Sequence, residues 1–86
     1  MVKIENHVIK DPIGVHARPA GQLVALLKPF SSTVMLEHNG NIQNAKSLIA
    51  LLKMSIQNND NISFIIEGTD ENETQIALKI FLENNF

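Results

Sequence analysis

The chain has no cysteine. Disulfides, thiol nucleophiles, iron–sulfur ligation and cysteine-type zinc fingers are therefore excluded. It has no tryptophan or tyrosine, and its basic residues are scattered, so a stacking platform for nucleic acid finds no support. An excess of charge of one sign is missing too. The net charge of −2 gives no wholesale attraction to nucleic acid or to an anionic membrane. Its apolar runs are short: "LVALL" (23–27) and "LIALL" (48–52) fall far below the length needed to span a bilayer. The opening "MVKIENHVIK" lacks the basic-then-apolar pattern of a signal peptide. Walker loops, dinucleotide fingerprints and paired-carboxylate arrangements are absent as well. A cytoplasmic protein is expected, with no membrane insertion and no direct nucleic-acid contact.

The 86 residues suffice for one domain, 1–86, with a thin core. Apolar residues make up 44%, which marks a globular chain. Charge is unevenly spread. Residues 1–59 carry six Lys/Arg against three Asp/Glu, a balance of +3; residues 60–86 carry one against six, a balance of −5. The first two-thirds can thus present a mildly basic face, while the acidic end reads as a solvated helix face.

Residues 2–10 read as a strand with imperfect alternation at Val8 and Ile9. "DPIG" (11–14) is a loop by its Pro and Gly. Ala20, Leu23, Val24 and Leu27 then recur on one face of a helix that Pro29 stops. "TVMLEH" (33–38) alternates as a strand, "NG" (39–40) signals a type I′ hairpin turn, and 41–45 is the return strand. Ser47 is a favoured N-cap for a second helix, "LIALLKMSI". "NND" (58–60) is a loop. A last strand, 61–68, has Ile62, Phe64 and Ile66 on one face. Asp70 with Glu73 resembles a capping box for a helix over 71–84, whose inward residues are expected to be Ile76, Ala77, Ile80 and Phe81. The order βαββαβα predicts an α+β open-faced sandwich: a four-stranded antiparallel sheet with three helices on one face. Interleaving the two crossovers makes every neighbour antiparallel.

The stretch "GVHARPAG" (14–21) delivers His16 to the first helix start, beside Arg18, the only arginine in the chain. Helix starts present unpaired N–H groups and the positive end of the helix dipole. A neutral imidazole can carry a phosphoryl group as a covalent intermediate. The planar guanidinium fork of Arg18 suits phosphoryl oxygens better than a point charge does. Pro19 costs little in the first turn, and Gly14 allows a tight bend before the histidine. A lone histidine at a helix start is nonetheless most often a surface residue, and physics alone leaves that alternative open.

The segment "GVHARPA" resembles the active-site signature of the histidine-containing phosphocarrier (HPr) family of the phosphoenolpyruvate-dependent sugar phosphotransferase system. "NAKSLIALL" (44–52) is similar to that family's regulatory-serine region. The element order, the length and the spacing of the two segments also fit, over essentially the whole chain. The resemblance implies that His16 is phosphorylated on Nδ1, accepting the group from enzyme I and passing it to IIA domains of sugar permeases. Arg18 would steady the phosphoryl group. Ser47 would be a regulatory site for an HPr kinase/phosphorylase, with a catabolite-control transcription factor as a further partner. The protein would be a monomeric carrier without cofactors rather than an independent catalyst. Ser47 as a plain N-cap is the alternative.

The second helix is apolar nearly all round. Leu48, Ile49 and Leu52 are expected as an exposed patch near His16, with Ala17 and Ala20, where partners dock; Leu51 goes to the core. Lys46 and Lys53 flank the patch and could steer an acidic partner. Gly21 stands where the family usually has alanine, serine or threonine, and softens the first helix. Ser55 and Asn59 replace customary glycines, and Ser55 leaves the end of the second helix open. His7 and His38 lack metal-ligand spacing with His16, so no metal site is expected. Two other functions stay open: a regulatory paralogue acting through phosphorylated Ser47, and an interaction module without covalent chemistry.

Overall fold

The computed structural model describes residues 1–86. Its elements follow the expected order: β1 (Val2–Val8), α1 (Ala17–Leu27), β2 (Thr33–His38), β3 (Asn41–Asn44), α2 (Leu48–Lys53), β4 (Asn61–Glu67) and α3 (Glu71–Asn85). The four strands form one sheet in the order β1-β4-β2-β3. Every neighbouring pair is antiparallel. β4 inserts between β1 and β2, so the two helical crossovers interleave and each joins parallel, non-adjacent strands. No helix is long and apolar enough to cross a membrane.

β1 is shorter than the span 2–10. Its register shifts between Ile4 and His7, where Asn6 adopts φ 59°. A bulge inserts one residue and reverses the in–out phase of the strand. That is why Ile4 and Ile9, of opposite parity, both reach the core. Ile9 leaves the ladder and bonds instead to the loop before β4, through Asp60 O and Asn59 N. The "NG" turn closes β2 onto β3 with Asn39 at φ 52° and Gly40 at φ 81°, the positive pair a type I′ turn requires.

The core lies between the sheet and the helices. Leu36, Phe64, Ile62, Ile66 and Val34 from the sheet meet Leu23, Leu27 and Ala20 of α1, Leu51 of α2 and Leu78 and Leu82 of α3. Each fully buried Leu or Ile contributes about 1.5–3 kcal/mol. α1 buries the face expected of it, together with Pro19. α2 buries Leu51 alone. It ends where Ser55 turns left-handed at φ 54°, a conformation that costs a non-glycine residue roughly 1–2 kcal/mol.

Two expectations about α3 fail. Its buried residues are Thr74, Leu78 and Leu82, while Ile76 and Ile80 are exposed; Ala77 is half-buried and Phe81 packs at the core's rim. The helix carries competing apolar stripes, and packing selected the one spaced i, i+4, i+8. Thr74 satisfies its hydroxyl on Asp70 O at 2.8 Å, so it can be buried cheaply. The rim is closed by an edge-to-face contact of Phe81 with Phe86, centroids 5.6 Å apart. The capping box also does not form. Asp70 makes no cap bond to its own helix. Its carboxylate instead accepts from the backbone N–H groups of Ser31 and Ser32, at 2.7 and 2.9 Å, and from the Ser32 hydroxyl. These bonds, the one from the Ser32 hydroxyl most and then that from Ser31 N–H, hold it well below the usual carboxylate range, at about 2.

Candidate functional site

The loop over 9–15 that brings the chain to α1 rests on the loop over 56–60. Val15 N–H donates to Ile56 O at 3.0 Å. Gly14 has φ +83°, and a Cβ there would collide with Ile56 O and stand 2.9 Å from Gln57 Cα. Only glycine permits so close a backbone crossing. The Asn58 Nδ2 group faces three successive carbonyls, of Ile9, Lys10 and Asp11, at 3.4, 3.4 and 3.1 Å. Asp60 anchors this bed. Its carboxylate accepts from Gln57 N–H at 2.9 Å and lies 2.8 Å from Nε2 of the buried His38. The two contacts lower the Asp60 pKa, the Gln57 bond most.

His16 is the N-cap residue of α1, extended at φ −124° and ψ 178°, but its side chain caps nothing. Its carbonyl accepts from Ala20 N–H at 3.0 Å. Pro19 has no N–H, and no backbone carbonyl accepts from Ala17 or Arg18. Two open amides therefore stand at the positive end of the helix dipole. The imidazole is about one-third exposed, at 36%. The Asp11 carboxylate lies close by, with Oδ2 3.6 Å from Nε2, beyond hydrogen-bond reach. The ring is free to act as a nucleophile. Arg18 is exposed and makes no ion pair within the chain. His16, Arg18 and Asp11 share a shallow cavity of about 290 Å³ with Pro19, Gln22, Asn84 and Asn85, lined by no hydrophobic residue. An anion with several oxygen atoms suits such a cavity.

Ser47 sits at the start of α2. Its Oγ accepts from Ala50 N–H at 3.2 Å, which is N-cap geometry. The residue is half-buried and borders a second concavity, of about 240 Å³, with Ile49 and Lys53. Leu48, Ile49 and Leu52 are exposed, Ile49 most at 67%, and Leu51 is fully buried. Ala17 is exposed as well. Ala20 is not a surface residue: it is fully buried in the core, so the docking role expected of it is withdrawn. It lies on the same face as Leu23 and Leu27, and a face cannot be both core and surface. Lys46 is not free either; its Nζ donates to Phe30 O at 2.7 Å, near the end of α1.

The other histidines serve the frame. His38 joins Asp60, as above. His7 has a buried Nε2 with no partner. Burial lowers its pKa foremost, Lys10 adds to this, and a bond to the Phe86 backbone opposes it. Sequence reasoning missed Asp11, Gln22, Asn58, Asn84 and Asn85 as neighbours of the site. The Asp-Pro pair at 11–12 signals a turn, but only the fold shows that α3 ends beside α1.

Fold and site together define a small open-faced sandwich bearing one uncommitted histidine and one guanidinium at a helix start. A family model described as the PTS HPr component phosphorylation site matches residues 4–84. The chain belongs to this family, the HPr phosphocarriers of the phosphotransferase system. It is 43% identical over 79 residues to the phosphocarrier protein HPr of Mycoplasma genitalium, covering 91% of this chain and 90% of that protein. A solved histidine-containing phosphocarrier protein of Mycoplasma superposes with a TM-score of 0.91 at 29% identity, covering 96% of this chain and 93% of that one. The catabolite-repression protein Crh of Bacillus subtilis superposes with a TM-score of 0.76 at 28% identity, covering 98% and 88%.

Proposed function

We propose that His16 carries the phosphoryl group on Nδ1, accepting it from enzyme I and delivering it to IIA domains of sugar permeases in the cytoplasm. The observation that carries this reading is the pairing of a partly exposed, unbonded imidazole with Arg18 in a cavity without apolar lining. The Arg18 fork and the open amides of Ala17 and Arg18 offer donors to the phosphoryl oxygens. The carrier is a stoichiometric participant and acts as a monomer. Each partner supplies half of the chemistry. Ala17 with Leu48, Ile49 and Leu52 forms the docking surface, and Lys53 steers acidic partners toward it.

Ser47 is the regulatory site in this reading, phosphorylated by an HPr kinase/phosphorylase and then read by a catabolite-control transcription factor. Its hydroxyl uses one acceptor site on Ala50 and keeps its proton free. A phosphate there adds negative charge and bulk to the docking face, which opposes acidic partners. The likeness to Crh favours a second reading, a paralogue that works through Ser47 rather than in sugar transport; the retention of His16 favours the carrier.

The test is incubation with phosphoenolpyruvate and purified enzyme I, followed by intact-mass analysis and acid treatment. One acid-labile phosphoryl group is expected, and none in a folded His16→Ala variant. A folded wild-type protein that stays unmodified beside an active control carrier would reject the carrier reading for that enzyme I and put the Ser47 reading first.

A further inference from the structure

The two carboxylate oxygens of Asp11 face different groups. Oδ1 accepts from Ile13 N–H at 2.9 Å. The Asp11 carbonyl accepts from Gly14 N–H at 3.0 Å and from Asn58 Nδ2 at 3.1 Å. These bonds fix the residue in a tight turn and leave Oδ2 unused. Oδ2 is the atom 3.6 Å from His16 Nε2, on a side chain only 20% exposed.

We propose that Asp11 is a positioning residue that keeps the proton of neutral His16 on Nε2 and so leaves the Nδ1 lone pair for the phosphoryl group; this rests on the carrier reading of His16. A carboxylate is an acceptor only, so it favours an N–H facing it and disfavours a lone pair there. At the resting distance the attraction is electrostatic, and contacts of this kind tighten as charge develops in a reaction. In the transfer step the Nδ1 lone pair forms the N–P bond to the phosphoryl group of a phosphorylated protein donor. The bond between phosphorus and the donor breaks, and its electron pair leaves with the donor. The Nε2 proton stays in place, and the positive charge that the ring acquires lies beside Asp11. Onward transfer returns the electron pair to Nδ1.

Two variants separate this role from a purely structural one. In Asp11→Asn the amide oxygen takes the Oδ1 place on Ile13 N–H and turns the NH₂ group toward Nε2. A donor there favours the opposite tautomer, with the proton on Nδ1. Asp11→Ala removes both the bias and the turn bond. The ¹⁵N shifts of the neutral His16 ring are expected to put its proton on Nε2 in the wild type and to move population to Nδ1 in Asp11→Asn, with Asp11→Ala between. Initial rates of His16 phosphorylation should fall in the order wild type, Ala, Asn, the last by roughly 10–100-fold, the size of effect seen for carboxylates that orient metal-bound histidines. If Asn matches the wild type while Ala is slow, the carboxylate only builds the turn and the proposal is overturned. It is also overturned if the tautomer does not move in the Asn variant of a protein whose wild type is phosphorylated normally. A wild type that accepts no phosphoryl group defeats the carrier reading itself, a separate outcome. Should Asp11→Ala fail to fold, Asp11→Asn against the wild type decides, because it keeps the turn bond.

Discussion

The starts of α1 and α2 are built from the same backbone geometry and used in opposite ways. Both N-cap residues are extended, at φ −124° for His16 and −107° for Ser47. Ser47 turns its hydroxyl inward and caps Ala50 N–H. His16 turns its ring outward and caps nothing. The capped start leads a six-residue helix with one buried residue, and the uncapped start leads an eleven-residue helix with five. A long helix with a full apolar face does not depend on its cap, because packing holds it. A short helix with one buried leucine does. The proposed phosphoryl acceptor, His16, therefore stands where an open helix end is tolerable. The start of α3 is a third case: its N-cap Asp70 is directed to Ser31 and Ser32, and ties the β2 entry to α3.

The largest effect is expected from making the two starts alike. His16→Ser should abolish phosphoryl transfer while closing the open end of α1, raising stability by roughly 0.5–2 kcal/mol. Transfer assays and denaturant melts on one sample read both, and a destabilised, folded variant would show that the ring does structural work. The converse change, Ser47→Ala, should leave transfer intact and cost about 1 kcal/mol, a fall in Tm of about 4–8 °C. A loss nearer zero would mean that α2 needs no cap. Gly21→Ala sharpens the contrast in helix strength. Beyond its chain neighbours and the helix's own backbone, no atom stands within 4 Å of the added methyl, and the gain is about 0.5–1 kcal/mol in chemical denaturation. The smallest effect is confined to acid. Asp70 is held near 2 in the folded protein, below its ordinary 3.8. The unfolded chain therefore binds the extra proton first, so the Asp70 contribution is whole above 3.8 and is lost as pH falls toward 2. His7, lowered by burial, adds the same sense of change beginning below 6.5. Thermal melts from pH 2 to 7 should show an acid slope that Asp70→Asn flattens at the low end; an unchanged slope would assign it to other carboxylates.

Much of the architecture was legible in the sequence. The i, i+3, i+4 pattern of α1, the "NG" turn, Ser47 before an apolar run and the alternating β4 are local signals, and local backbone preferences read them directly. His16 and Arg18 were legible for the same reason: they lie two residues apart on one helix start. The inward face of α3 was not, because Ile76, Leu78, Ile80, Phe81 and Leu82 offer more apolar residues than one face can bury. Ala20 was misplaced because its small side chain fits a surface and a close-packed core equally well.

The sequence by itself determined which segments become helix, strand and turn, and it placed His16 beside Arg18 at a helix start. Those properties depend on neighbours a few positions apart. The tertiary structure alone decided which α3 stripe faces the sheet, that Asp70 serves Ser31 and Ser32 instead of its own helix, and that Asn58 braces the loop below His16. It alone left one oxygen of Asp11 facing the imidazole. Each of these is a choice among partners far apart in the chain, and close packing makes that choice only when the layers meet.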